Sequence, residues 1–572
     1  LPDNALEATL LKRALAAYQR RDFASSAAEL ERILRQSPTS PYAAEAAFWL
    51  GESRFYSRQY RQALQAYLQV PQGSPRYPDA LYSRGWVYYQ GSDWLKASPE
   101  FEQVVRRYPE APIRPEALYR LAEVQFNLKN FERAISSYQQ LLQEYPQDKL
   151  VPSARFRVGW VYQRAGSNGQ AIRELSEVVR AYPGHPIAAE AHYWLGMAYL
   201  QEKRAEEARS QFERVVALRP DTELAAQASL RLGDTYYNQG KYGQAIAAYG
   251  QGDVDVRTPD AEYGIIQSLY QQRRLNEYAA RAKAFIAHYP TNPLGATVLF
   301  QLAELYESES RPQLALSTLQ DVVTRFGGSE QAESAHLRRA DIFAKQGDWN
   351  AVLAEAQQAM AVGKSDVVKG DALYQMARAQ QELRLYPAAA ESYRRLIREY
   401  PKSRFVAASF RGQAQALSQA GHKAEAKQAW QEWLERAPKD ASAAEAYVEM
   451  GLLLQGEGEQ RRAIEQFTKA LNQGQPDVAA RAQYEIGRSY TLLKNYQQGA
   501  AELMKVAYLY PQQQRWVQPS LFQAAANYEQ EHKWQEALAV YQKIVKEIPQ
   551  SEPREQATRK IEQLKKKIES GA

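Results

Sequence analysis

The run AEAHYWLGMAYLQEKRAEEARSQFERVVALRP, residues 189–220, decides the fold. Ala191, Tyr193, Leu195, Gly196 and Tyr199 give the signature of a first helix: Ala five before a small residue, a large one three before, an aliphatic one directly before and Tyr three after. Ala208 and Phe212 open a second helical stretch, which ends at Arg219-Pro220. Proline cannot donate a backbone hydrogen bond and disfavours helical geometry in the residue before it. Gly196 lies inside the first stretch, where glycine costs roughly 1 kcal/mol relative to alanine, so it needs a packing reason. The expected reason is close approach of the paired helix backbone.

Working outward, the small position recurs as Gly51, Gly85, Ala122, Gly159, Gly196 and Gly233, then as Ala303, Ala340, Ala377, Ala414, Gly451 and Gly487. Most steps are 37 residues. A second small column follows twelve residues later, at Ala63, Ala97, Ala134, Ala171, Ala208, Ala245, Ala315, Ala389, Ala426 and Ala463. The proline stop also recurs, as Tyr108-Pro109, Tyr145-Pro146, Tyr182-Pro183, Tyr289-Pro290, Tyr400-Pro401, Ala437-Pro438, Tyr510-Pro511 and Ile548-Pro549. Columns at a fixed period mean one supersecondary unit stacked many times, and here the unit is a helical hairpin. In one copy Phe131, Ala134, Tyr138, Leu141 and Leu142 share a helix face. From Phe23 to Pro549 the period gives about fifteen units.

These columns resemble the tetratricopeptide repeat: one copy reads Val158-Gly159, Tyr162, Ala171, Leu175 and Pro183, another Leu232-Gly233, Tyr236, Ala245 and Tyr249. The resemblance implies an all-α superhelical solenoid. The period departs from the usual 34 or so. The longer unit, with Tyr-Pro before an Ala-rich helix start, looks like the repeats of bacterial envelope proteins such as the Tol-Pal-associated coordinator and the outer-membrane assembly lipoproteins. That implies a periplasmic or outer-membrane-associated protein, with a cytoplasmic location as the alternative. The chain opens at Leu1 rather than Met, as removal of a signal peptide or trimming of a longer chain would leave it.

The period is disturbed once in this reading: the column steps 31 residues from Gly233 to Gly264, and no Tyr-Pro stop follows Tyr249. Gly250, Gly252 and Pro259 favour a break. The expected organisation is an N-terminal arc over 1–252, a seam at 253–258, a second arc over 259–551 and a capping helix over 552–572. Ile561, Leu564 and Ile568 stripe that last helix, with Lys565, Lys566 and Lys567 on its wetter faces.

The chain has 572 residues, more than one globular core usually supports, but a solenoid escapes that limit because each unit packs only on its neighbours. A net charge of +6, with basic residues scattered among 66 acids, gives no nucleic-acid footprint. No apolar run is long enough to span a bilayer. There is no cysteine, so disulfides and thiolate metal sites are excluded. None of the six histidines (His185, His192, His288, His336, His422 and His532) has metal-ligand spacing, and all are expected in loops or at the surface. Asp253 and Asp255 lack the remaining ligands of a calcium loop. Gly456-Glu457-Gly458 reads as a turn between paired helices. No serine or aspartate is placed beside a histidine base, so neither catalytic nor cofactor-binding residues are expected.

Aromatic residues make up 11% of the chain, including 38 tyrosines. Tyr67, Phe101, Tyr138, Phe212, Tyr249, Tyr393, Phe467 and Tyr541 stand sixteen after the small column and are expected to be core. The resemblance implies that the first helix of each unit lines a concave groove through the columns at minus three, plus one and plus four. Those columns hold Tyr82, Trp86 and Tyr89; Tyr119, Glu123 and Phe126; Phe156, Trp160 and Gln163; and Tyr193, Met197 and Leu200. Glu52, Glu123, Asp234, Glu304 and Asp341 share the plus-one column with Trp86 and Trp160, a polar set that points to exposure. The expected function is a non-enzymatic scaffold for protein or peptide partners in the cell envelope, the alternative a periplasmic helper of polysaccharide export. Limited proteolysis is expected to cut between Gly250 and Pro259 before it cuts the regular units from Pro109 to Pro220; uniform cutting would count against a weak joint there.

Overall fold

In a computed structural model residues 5–251, 258–436, 442–547 and 552–569 are described, and within them the chain is a solenoid of 31 helices. Thirty pair into fifteen hairpins. The first hairpin begins at Ala5–Gln19, ahead of the Phe23 start read from the sequence, and the last helix, Glu552–Glu569, stands alone. The chain divides into two compact units, Leu1–Arg281 and Ala282–Ala572. In each, first helices approach the first helix of the next hairpin as well as their own partner. The expected seam at 253–258 lies outside the described residues except for Thr258, whose hydroxyl accepts from Ala261 N–H and caps the helix Pro259–Gln271. The stops at Pro438 and Pro549, and Asp253 and Asp255, also lie outside them.

One backbone device builds every hairpin. Seven residues after the small column the chain takes a single left-handed residue, and the fifteen such residues are the only positive-φ positions described. The next N–H bonds the carbonyl five residues back, as Asp93 N–H does to Tyr88 C=O at 2.9 Å, closing the first helix with a left-handed cap. That same residue starts the second helix; Asp22, Asp93, Asp348 and Asn495 also cap it through their side chains. Five turns use glycine, including Gly458 in the predicted Gly456–Gly458 turn, and ten do not. A left-handed non-glycine residue costs roughly 1–2 kcal/mol. A cation near a helix C-terminus recovers only about 0.3–1 kcal/mol when exposed.

The turns also fix the register. Counting back seven from Arg273 puts Ile266, not Gly264, in the small column of the eighth hairpin, a step of 33 from Gly233. The earlier step from Gly51 to Gly85 is 34. Both follow a truncated second helix, Tyr60–Tyr67 or Tyr242–Tyr249, each of 8 residues, where the other second helices have 14. The disturbance read at Gly233 is therefore one of two. Each short helix ends on a tyrosine that reaches the plus-one acid: Tyr67 OH donates to Glu52 and Tyr249 OH to Asp234, at 2.7 and 2.8 Å.

The glycines answer first to a side chain; the expected approach of the paired helix backbone holds at Gly159 and Gly487, where a Cβ would also stand 3.2 Å from Leu175 N and 3.1 Å from Leu503 N. A Cβ on Gly85 would stand 2.8 Å from the Phe101 ring, on Gly159 2.7 Å from Leu175, and on Gly196 2.8 Å from Phe212. In each case the intruder is the residue sixteen later, on the second helix of the same hairpin. The plus-sixteen aromatics named from the sequence are all buried, each worth roughly 1.5–3 kcal/mol of apolar burial. Gly264 and Gly412, two places before the small column, instead receive Tyr249 and Tyr393 from the preceding hairpin. In the terminal helix Leu564 is buried, Ile561 packs on the core, and Lys565 to Lys567 are exposed.

Gly196→Ala is expected to destabilise the solenoid by about 1–3 kcal/mol, since it overpacks against Phe212. Phe212→Leu in the same chain should restore part of the loss. A double-mutant cycle by denaturant melting checks this, and additive losses would show that the two positions do not meet.

Candidate functional site

The expected groove residues lie on the first helices of hairpins three to six, Tyr77–Gln90, Arg114–Asn127, Val151–Arg164 and Ala188–Gln201. The structure sorts them into three groups. The minus-three rings lean into their own hairpin, and Tyr82 and Tyr119 stay half-buried. Phe156 and Tyr193 are buried, and Tyr82, Tyr119 and Tyr193 each meet the plus-sixteen ring of their own hairpin, Phe101, Tyr138 and Phe212, at 5.3–5.9 Å. Burial removes Phe156 and Tyr193 from an open groove, while Tyr82 and Tyr119 keep part of their surface.

The plus-four residues span the turn. Tyr89 meets Trp94 at 5.0 Å and Phe126 meets Phe131 at 5.5 Å, the same aromatic pairing that recurs as Tyr18 with Phe23, Phe55 with Tyr60 and Tyr237 with Tyr242. Such pairs contribute roughly 0.5–1.5 kcal/mol beyond area burial. In hairpin five Gln163 and Asn168 take these positions, and each carries a buried side-chain oxygen without a partner.

The plus-one column is the informative one, because it meets the minus-two residue of the next hairpin. Glu52 accepts from Ser83 at 2.7 Å; the Arg120 guanidinium lies 4.3 Å from the Trp86 ring; Arg157 stands 3.7 Å from Glu123; Trp194 meets Trp160 at 6.3 Å; Asp341 accepts from Gln375 at 2.7 Å. The acids with these partners are thus engaged across the junction; Glu52 and Glu123 are half-buried, whereas Asp341 stays exposed as expected. Trp86 and Trp160, expected to be exposed, are half-buried for the same reason.

Between them runs a continuous chain of contacts. Trp86 stacks on Tyr89 at 5.0 Å and 12°; Arg120 binds Glu123 at 2.5 Å; Tyr89 OH donates to Glu123 at 3.3 Å; Arg157 lies 5.1 Å from the Trp160 ring, and Phe126 packs on that ring at 4.4 Å. Two guanidiniums share one carboxylate, leaving an excess positive charge between the indoles. Met197 and Leu200 are half-buried at the end of this face.

Glu52 sits in the same column without a cation. Burial holds its carboxyl above the ordinary carboxylate range, against the hydrogen bonds from Ser83 and Tyr67 that favour the charged form. Of the histidines, His336 is buried against Glu355 at 2.8 Å and His192 is half-buried against Gln211, so the expectation of surface histidines fails for these two. Among the described residues no cluster of three or more metal-ligating side chains occurs, and no helix is long and apolar enough to cross a membrane.

Models of the tetratricopeptide repeat match residues 11–78, 50–112, 82–149, 157–223, 207–253 and 448–514, and a second such model matches 371–403 and 520–551. The chain belongs to the tetratricopeptide repeat family. It is a repeat scaffold of the kind that binds other proteins. No curated protein matches it at the level of sequence. Among solved structures it is similar to Naa15/Naa10 bound to HypK-THB, at 14% identity over 98% of this chain and 91% of that one, with a TM-score of 0.35. It is also similar to a tetratricopeptide repeat protein from Parabacteroides merdae (16% identity, 52% and 98% covered, TM-score 0.28). YrrB, a repeat protein with an unusual peptide-binding site, aligns at 22% identity over 35% of this chain and 96% of its own, with a TM-score of 0.29. These are similarities of repeat architecture alone.

Because the Glu52 carboxyl is raised in the folded chain, its protonated form stabilises the fold. That stability is present below the unfolded glutamate value of about 4.3 and is lost as pH rises through the raised value. Glu52→Gln is therefore expected to remove this loss and leave the chain at least as stable at neutral pH. Melting curves across acid to neutral pH check this; a Glu52→Gln chain that keeps the wild-type slope would exclude Glu52 as its source.

Proposed function

We propose that the protein is a non-enzymatic scaffold whose first-helix face over hairpins three to six holds an extended or helical segment of a protein partner. The observation that carries the reading is the ladder from Trp86 through Arg120, Glu123 and Arg157 to Trp160. Its rings and guanidiniums are held in place by one another yet remain half-exposed, so contact area is offered with little left to order on binding. Long arrays add many shallow contacts on a preformed surface, and they span distance between the complexes they join.

The 37-residue period and the repeated Tyr-Pro stop support an envelope setting, in the periplasm or at the outer membrane, by likeness to the repeats of envelope-assembly proteins. Service to polysaccharide export is the weaker alternative. A sugar stacks on an open ring face, whereas Trp86 is already engaged by Tyr89 and Arg120.

The double variant Trp86→Ala with Trp160→Ala is expected to weaken capture of the partner recovered from envelope extract by at least about tenfold, as aromatic anchors at hot spots do. It should also lower the melting temperature somewhat, because each indole touches the next hairpin. Titration well below the variant's melting point separates the two effects. Unchanged affinity there would remove the ladder from the binding face, and recovery of exopolysaccharide machinery rather than envelope-assembly proteins would favour the alternative.

A further inference from the structure

The left-handed turn residues carry a pattern that the hairpin does not require. Glycine suits that backbone best, and asparagine and aspartate tolerate it next, yet neither of these two occupies any of the fifteen turns. Seven are arginine or lysine: Arg21, Arg58, Lys129, Lys203, Arg273, Arg384 and Lys494. All seven are exposed, and among the described residues none enters an ion pair. Their neighbours behave differently. Arg204, next to Lys203, pairs with Glu207 at 2.8 Å, and Arg274, next to Arg273, pairs with Glu277 at 2.6 Å. The attraction of a cation for the helix C-terminus is smaller than the strain of the turn, so it does not by itself account for the choice.

Three of these turns add apolar surface. Tyr56 and Tyr60 flank Arg58 with 55% and 41% of their surface exposed; Leu385 beside Arg384 is 48% exposed; Leu492 and Leu493 before Lys494 are 54% and 40% exposed. The residues directly adjacent to these three cations carry no charge: Ser57 and Gln59, Leu383 and Leu385, Leu493 and Asn495. An unpaired cation beside exposed leucine or tyrosine is the combination that settles at the boundary of an anionic bilayer. There the charge meets lipid phosphate and the apolar side chain enters the acyl boundary.

We propose that these hairpin turns, at Arg58 in the first unit and at Arg384 and Lys494 in the second, are docking points for the surface of an anionic lipid bilayer. The apolar flanks decide between this surface and a soluble polyanion, which would use the cations and leave leucine in water. Docking is peripheral, through turns, and independent of the partner-binding face on the first helices.

Flotation of the full chain with vesicles of equal parts phosphatidylcholine and phosphatidylglycerol, against phosphatidylcholine alone, tests it. The chain should float with the anionic vesicles only, and less so as salt rises. Arg384→Gly with Lys494→Gly should weaken partition by about 25-fold, roughly fivefold for each cation removed. Glycine relieves the turn, so this variant should melt no lower than the wild type, and lost binding cannot then be lost folding. Leu385→Ser with Leu493→Ser should weaken partition with every charge in place. Failure of the wild type to float, or glycine variants that float as it does, would overturn the proposal. So would serine variants that float unchanged while soluble dextran sulfate displaces the chain, since the turns would then be a polyanion site.

Discussion

The stack depends on one contact repeated along the chain, a large side chain of the second helix lying on a residue with little or no side chain in the first. Where that residue is glycine there is no room for a Cβ: at Gly85, Gly159 and Gly196 it would lie within 3 Å of Phe101, Leu175 or Phe212. The two helices are brought close enough for the remaining apolar columns to meet, and the helix-propensity cost of each glycine is outweighed by the ring or leucine it admits. The minus-three rings Tyr82, Tyr119 and Tyr193 then close over the same contact from the side.

Neighbouring hairpins are joined by a different chemistry. Plus-one residues meet minus-two residues of the next first helix, and the partners change from junction to junction: a carboxyl with a hydroxyl, an indole with a guanidinium, a carboxylate with a guanidinium, two indoles, a carboxylate with an amide. The face proposed for a partner on hairpins three to six is therefore also the seam that holds them together. Binding there would draw on groups already positioned by the fold, and changes there would reach stability as well as affinity.

The hairpin, its period, the count of units and the buried plus-sixteen column were legible in the sequence, because local helix packing repeats with the chain's own period. The left-handed turns were not, since Arg21, Lys129 and Arg384 carry none of the glycine signal that marks such a backbone. Nor was the pairing of the plus-one column. Outside the shortened second hairpin its partners lie 34 residues on, as Arg120 does from Trp86, Arg157 from Glu123 and Gln375 from Asp341, and comparison of positions at that separation would have found them. The reading of Gly264 as a column residue failed because composition alone cannot tell a glycine that receives its own hairpin's side chain from one that receives the previous hairpin's Tyr249.

The unlike junctions bear on how an array of near-copies avoids folding out of order. Hairpins built on one template can in principle dock on any other copy, and a chain of fifteen has many wrong neighbours to choose from. A first helix that presents Glu123 satisfies the guanidinium of Arg157 but would leave Trp194 facing a carboxylate, and Glu52 finds a hydroxyl on Ser83 where Trp86 would find none of the cation it stacks against. At these junctions a hairpin thus carries an address for the one that follows. Such an array tolerates point changes within a hairpin better than it tolerates the shuffling, deletion or duplication of whole repeats.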